Sequence, residues 1–171
     1  MRKDSLLALV CAAFSLWAAP ARAEATRLTN PTTLYLEMGG RALGYGAGFD
    51  RVMSDNLSVG LSFGMTPTQD LNDNNANKSA LVIPAYLNYY LEDDASTMFF
   101  TAGASLVASD VKGLEAKYSG IQFPDSIVLP TIGWGYESRG DMGAFMFRIS
   151  AYAIVAHRVM PWAGFNFGYA F

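Results

Sequence analysis

From residue 33 onward, apolar side chains recur at every second position in eight blocks, and one of the two faces so defined carries no charge. The blocks span 33–38, 43–49, 57–65, 80–91, 97–108, 126–137, 144–154 and 162–171. Period 2 is the repeat of a β-strand, so a helical reading is excluded over most of the chain. The alternation is cleanest in 57–65, where Leu57, Val59, Leu61, Phe63 and Met65 oppose Ser58, Gly60, Ser62 and Gly64. The uncharged face continues through Phe145, Phe147, Ile149, Ala151 and Ala153 and through Ala163, Phe165, Phe167, Tyr169 and Phe171. Gly44, Gly46, Gly48, Thr101, Gly103, Ser105, Thr131, Gly133, Gly135, Gly164 and Gly168 lie on the other.

The sign of this alternation discriminates between fold classes. A soluble sheet turns its polar face to water, and glycine at this density makes a poor wet surface. A lipid-facing barrel turns the apolar face out and the small polar face in. The expected fold is therefore all-β: an eight-stranded antiparallel up-and-down transmembrane β-barrel over 24–171, closed so that no backbone group is left unpaired in lipid. Composition agrees. Hydrophobic residues make up 51% of the chain, yet no stretch outside the N-terminus approaches the roughly 20 apolar residues of a spanning helix. Charged residues make up 16%, against about 25% in ordinary soluble domains.

Residues 1–23 are expected to be a cleavable secretory signal peptide. Arg2 and Lys3 precede an apolar run from Leu6 to Ala19, and Ala21-Arg22-Ala23 forms an Ala-x-Ala site before Glu24. Cys11, the single cysteine, falls inside that run, so the processed chain would hold no thiol. Removing three bases and one acid takes the formal charge from −3 to −5, with no basic patch, and nucleic acid is not an expected partner.

The connections after the second, fourth and sixth blocks are short, while 66–79, 109–125 and 155–161 are longer. With both ends of the chain in the periplasm, the longer segments face outside, the asymmetry of outer-membrane barrels. Tyr45, Phe49, Tyr89, Trp134, Tyr136 and Trp162 are candidates for interfacial girdles, although Trp162 has inward parity and is placed to plug the outer mouth instead.

Few charges lie inside the blocks. Glu37 and Arg148 have inward parity, as do Asn88 and Asn166, and these four form the expected lumen network. The last strand should lie between the seventh and the first, so Glu37 and Arg148 are expected to meet across Asn166, since an unpaired charge there is costly. Glu137 and Asp50 are expected near the periplasmic rim, in water. Tyr35, Tyr86, Tyr90, Phe99, Met146 and Tyr152 are bulky enough to fill a narrow lumen, so the network reads as a plug in preference to a gate.

No catalytic site is expected. His157 is the only histidine; no serine lies within several residues of it, and Arg158 and Val159 follow where lipid A deacylases carry a His-x-Ser arrangement. Asp70, Asn72, Asp73, Asn74 and Asn75 superficially suggest a calcium loop but lack the glycine and closing glutamate of an EF-hand, and no other metal spacing is present. Gly44-x-Gly46-x-Gly48 lies within a strand and opens no helix, so it cradles no phosphate. No cofactor is expected.

Leu34-Tyr35-Leu36-Glu37-Met38-Gly39-Gly40, continuing to Gly44-Tyr45 and Phe49-Asp50-Arg51, resembles the opening hairpin of a loosely defined, largely uncharacterised family of small outer-membrane β-barrel proteins. Ile83-Pro84, Leu87-Asn88-Tyr89-Tyr90, Phe147-Arg148-Ile149 and Pro161-Trp162-Ala163-Gly164 extend the similarity. The terminal Phe171, with Tyr169, Phe167 and Phe165 at alternate positions, resembles the signal read by the outer-membrane assembly machinery. That resemblance implies the barrel-assembly complex and periplasmic chaperones as transient partners, and outer-membrane lipid and lipopolysaccharide as surroundings. The expected role is structural, in membrane integrity, or adhesive, toward an external partner at the long loops. A narrow, porin-like pore or a small-ligand or lipid-binding barrel is the alternative, and a lipid-modifying enzyme a more distant one.

Overall fold

The computed structural model describes residues 27–70, 77–107, 114–116, 128–140, 145–156 and 158–171. The expected signal peptide, His157 and the cores of the two longest loops lie outside them. Eight strands form the wall: β1 (Thr32–Gly39), β2 (Gly44–Ser54), β3 (Leu57–Asp70), β4 (Asn77–Tyr90), β5 (Ser96–Val107), β7 (Val128–Arg139), β8 (Phe145–Val155) and β9 (Val159–Ala170). Each pairs antiparallel with its sequence neighbour, and β1 pairs with β9, so the sheet closes into an up-and-down barrel. A short strand, β6 (Leu114–Ala116), lies outside this ring and pairs with Thr68–Asp70 of β3.

The alternation divides the wall as expected. Leu36, Phe63, Phe100, Ile132 and Phe167 are exposed on the outside, whereas Tyr35, Ser62, Thr101, Thr131 and Asn166 are buried inside. Tyr45, Phe49, Tyr89, Trp134 and Tyr136 all lie on the outer face. Two boundaries differ from expectation. Strands β3 and β4 run past the blocks read from sequence, so much of 66–79 is paired strand, from Thr66↔Ala80 to Gln69↔Asn77. Thr66 and Thr68 keep inward parity but sit among polar residues, where the hydrophobic signal of the strand fades.

The glycines of the inner face leave room for rings. A Cβ at Gly60 would overlap the Tyr86 ring, and one at Gly135 would overlap Phe99. They serve packing in a narrow lumen and do not mark an empty one.

Strand prolines sit where a ladder is interrupted, since proline has no N–H to donate. Pro67 follows the end of the β2–β3 ladder at Tyr45↔Met65, Pro130 lies beyond the last β7–β8 pair, Thr131↔Ile154, and Pro161 lies beyond the last β1–β9 pair, Gly39↔Gly164. Pro84 falls in a gap of the β3–β4 ladder between Leu61↔Ala85 and Gly64↔Val82, across which the register is unchanged.

The first hairpin is short, and its connection turns inward. Gly39 and Gly40 adopt left-handed φ of 70° and 58°, and Leu43 follows with φ 61°. This path carries the single 3-10 turn Gly40–Ala42 into the barrel, where Gly40, Arg41, Ala42 and Leu43 are all buried. For leucine such a φ is a strained conformation, held here by burial of its side chain.

A Cβ at Gly164 would overlap the backbone of Gly40. Gly164→Val is expected to displace the inward turn and destabilise the barrel by about 1–3 kcal/mol, the usual cost of overpacking. Urea unfolding in detergent micelles measures this, with Gly140→Ala as a control expected to be neutral, because its Cβ would meet nothing nearer than 3.6 Å.

Candidate functional site

The lumen holds three layers. In the half of the lumen nearer the chain termini, Tyr35, Tyr86 and Met146 pack together, and the two tyrosine hydroxyls hydrogen-bond at 2.6 Å. At the far end Leu43, Ala80, Val107, Leu129, Tyr152 and Ile154 form an apolar cap, with Ala156, Met160 and Trp162 packed against it. Charged side chains occupy the space between and below.

Arg148 is fully buried and organises the larger cluster. Its Nε donates to Glu137 Oε2 at 2.9 Å, and its Nη2 donates to Asp50 Oδ2 at 2.8 Å and to the Tyr90 hydroxyl at 3.2 Å. Tyr90 in turn donates to Glu137 Oε2 at 2.9 Å. The other oxygen of Glu137 accepts from Arg139 Nε at 2.8 Å and from Arg27 Nε at 3.4 Å. Arg27 also stacks over the Tyr90 ring at 4.2 Å and donates to the Glu92 carbonyl, and Arg139 donates to the Asn30 carbonyl at 3.0 Å. One carboxylate therefore serves three guanidinium groups, which is how a buried charge of this kind offsets its desolvation.

The inward turn supplies the second cluster. Glu37 Oε1 accepts the backbone N–H of Arg41 at 2.9 Å, Ser105 Oγ donates to the Arg41 carbonyl at 3.1 Å, and Thr66 Oγ1 donates to the Leu43 carbonyl at 3.2 Å. The Arg41 guanidinium lies 3.9 Å over the Tyr86 ring and 4.9 Å over that of Tyr152. Its Nη2 donates to Asn88 Oδ1 at 3.2 Å and to Thr101 Oγ1. Asn88 donates onward to Ser58 Oγ at 3.1 Å.

Among the described residues, four arginines (Arg27, Arg41, Arg139, Arg148) and three carboxylates (Glu37, Asp50, Glu137) are buried, an interior excess of one positive charge. Arg41 Nε and Nη1, Glu37 Oε2, Asp50 Oδ1, Ser62 Oγ, Ser150 Oγ and both amide atoms of Asn166 are buried without a hydrogen-bond partner on the protein. Such groups are ordinarily satisfied by enclosed water.

Two expectations are corrected. Glu37 and Arg148 do flank Asn166, in the registers Glu37↔Asn166 and Arg148↔Asn166, but they form no pair with each other, and the Asn166 side chain bridges neither. Glu137 stands directly opposite Arg148 in the β7–β8 ladder, whereas Glu37 is two strands away, and the nearer carboxylate takes the guanidinium. Glu137 and Asp50 are not wet either. Both are fully buried, because Arg27 and Arg139 fold over the rim below them and the tyrosines close the space above.

Sequence reading missed three of the four arginines. Arg139 continues the inward parity of Glu137, a usable signal obscured by its place beside a turn. Arg41 sits in a turn and Arg27 before the first strand, where parity says nothing. Trp162 packs inward against the apolar cap, in line with its parity. Phe165, Phe167, Tyr169 and Phe171 lie exposed along the outer face of the last strand, and Phe171 is tied to Thr32 by reciprocal backbone hydrogen bonds of 2.8 and 3.1 Å.

The architecture is similar to that of the N-terminal β-barrel domain of Pseudomonas aeruginosa OprF, with a TM-score of 0.57 and 15% identity over 83% of this chain and 98% of that one. At that identity the likeness speaks for the fold. No protein-family model matches the sequence, and no curated protein sequence matches it.

Glu137→Gln removes the charge shared by three guanidinium groups and is expected to cost about 3–5 kcal/mol, as when one partner of a buried ion pair is deleted. Glu37→Gln keeps an acceptor for the Arg41 N–H and should cost about 1 kcal/mol. Denaturant midpoints of the two variants, measured side by side in micelles, test the ranking.

Proposed function

We propose that this chain is an outer-membrane barrel whose lumen is closed by its own side chains and whose role is structural or adhesive. The observation that carries the proposal is the combination of an apolar, aromatic outer wall, on which Arg51 is an outward charge near the end of β2, with an interior filled from Tyr35 to Trp162. A wall of this kind exposes Leu36 at 65%, Trp134 at 56% and Phe171 at 54%, which supports a hydrocarbon surrounding. The likeness to the OprF barrel domain supports the same setting.

In that setting residues 1–23 direct export, the last-strand aromatics engage the assembly machinery, and the ends of the barrel that carry the β3–β4, β5–β7 and β8–β9 connections are the outer ones. Contact with a partner outside the cell would run through those connections. The reading assigns no catalysis and no cofactor.

A narrow water passage is the second reading. It is favoured by the buried polar atoms without protein partners, which line the lumen beside Arg41 and Asn166.

Cell fractionation is expected to recover the chain with the outer membrane, migrating differently on gels before and after boiling. In planar bilayers the native protein should be electrically silent, whereas Arg41→Ala combined with Leu43→Ala, which removes the body of the inward turn, should admit ions. Regular conductance steps from the native protein would replace the closed-barrel reading with the pore. Altered lipid A in an expressing host that lacks lipid A-modifying activity would replace it with an enzyme.

A further inference from the structure

The inward turn leaves a notch in the barrel wall. Pairing between β1 and its neighbours ends at Gly39↔Gly44 and Gly39↔Gly164, but β9 continues to Val159 and β3 to Asp70. Above Gly39 the wall therefore lacks the two strands that a longer first hairpin would supply. On the β3 side, β6 takes the vacant edge at Thr68–Asp70. On the β9 side no strand among the described residues does.

A cavity of about 370 Å³ opens on the outer face at this point. Its floor is Leu43 and Trp162, and its sides are Met38, Tyr45, Ala163 and Phe165. No charged side chain lines it. The volume lies within the roughly 300–1,000 Å³ of small-ligand sites. Met38, Tyr45 and Phe165 stand in register on three adjacent strands and are exposed, so the cavity is continuous with the apolar outer wall.

The edge of β9 is unsuited to another strand. Phe171 bonds to Thr32, so odd-numbered residues of β9 direct their backbone groups toward β1. Pro161 has the same parity, and its missing N–H faces the notch. An added strand would find no donor there, and a proline at a sheet edge is a known device against strand pairing. What the notch offers is a narrow, apolar, uncharged slot opening sideways from the barrel.

We infer that this notch seats one acyl chain of a lipid from the surrounding membrane, laid against Trp162 and Ala163. The inference rests on the membrane-barrel reading and adds a specific ligand site to it. The buried Leu43 lies behind the slot as part of the apolar cap against which Trp162 packs. Trp162 thereby acquires a face toward lipid although its parity points inward.

Fluorescence quenching by phosphatidylcholine vesicles brominated at mid-chain tests the inference. In full-length chains carrying Trp17→Phe, Trp134→Phe leaves Trp162 as the only reporter, and Trp162→Phe leaves Trp134, which is exposed on the outer wall. Trp162 emission should be quenched as strongly as that of Trp134, and Ala163→Phe, or Ala163→Leu if the ring is not tolerated, should abolish most of the Trp162 quenching by filling the slot. If Trp134 is quenched while Trp162 is protected, or if filling the slot changes nothing, the acyl-chain site is overturned and the membrane barrel stands. If Trp134 itself is not quenched, the membrane reading fails first.

Discussion

Closure of eight strands into a ring is the constraint on which the rest depends. It satisfies the backbone of the wall internally, and it forces every inward side chain to share one narrow space with side chains from all the other strands. A charge placed inside cannot escape to water by rotating, so each is met by a partner from a neighbouring strand, its own strand or the inward turn. Arg148 and Glu137 answer this demand in the most economical way, as direct neighbours in one ladder. Arg27, Arg139, Asp50 and Tyr90 then gather on that pair, and a polar cluster spanning several strands results.

The same crowding explains the division between glycine and aromatic residues on the inner face. Each ring that crosses the lumen requires an opposing position with no side chain, as Tyr86 requires Gly60 and Phe99 requires Gly135. The inward turn at Gly40–Ala42 adds a further obstruction, held by Glu37, Thr66 and Ser105 through backbone groups. Filling is thus distributed over the whole height of the barrel, and no single side chain closes it. Atoms left without protein partners, among them Arg41 Nε and Nη1 and Glu37 Oε2, are groups that enclosed water ordinarily satisfies.

Strand number, order and facing were legible because period-2 patterning reports which side of a sheet a residue occupies, and Leu57–Met65 does so without exception. The inward parity of Glu37, Asn88, Arg148 and Asn166 was legible for the same reason. Their partners were not. Parity assigns a residue to the lumen but leaves open which inward neighbour a long side chain reaches, and it is silent for Arg41 and Arg27, which lie outside the alternating blocks. The ends of β3 and β4 escaped notice because Thr66 and Thr68 carry no hydrophobic contrast with their neighbours. The direction of the first turn depended on three left-handed residues, one of them a leucine, and leucine is not a residue that advertises such a conformation.

The placement of the strand prolines has a consequence for how such a barrel finds its own alignment. Sliding one strand past another by two residues returns apolar side chains to the outside and polar ones to the inside, so hydrophobic patterning alone scarcely distinguishes the shifted arrangement from the native one. Pro67, Pro84, Pro130 and Pro161 remove that ambiguity. In the native alignment each coincides with a missing rung, whereas a slide that extends the neighbouring ladder over the proline would set an imide nitrogen opposite a carbonyl that needs a donor. The four residues thus act as a vernier, selecting one stagger from a set that the side-chain pattern leaves nearly degenerate.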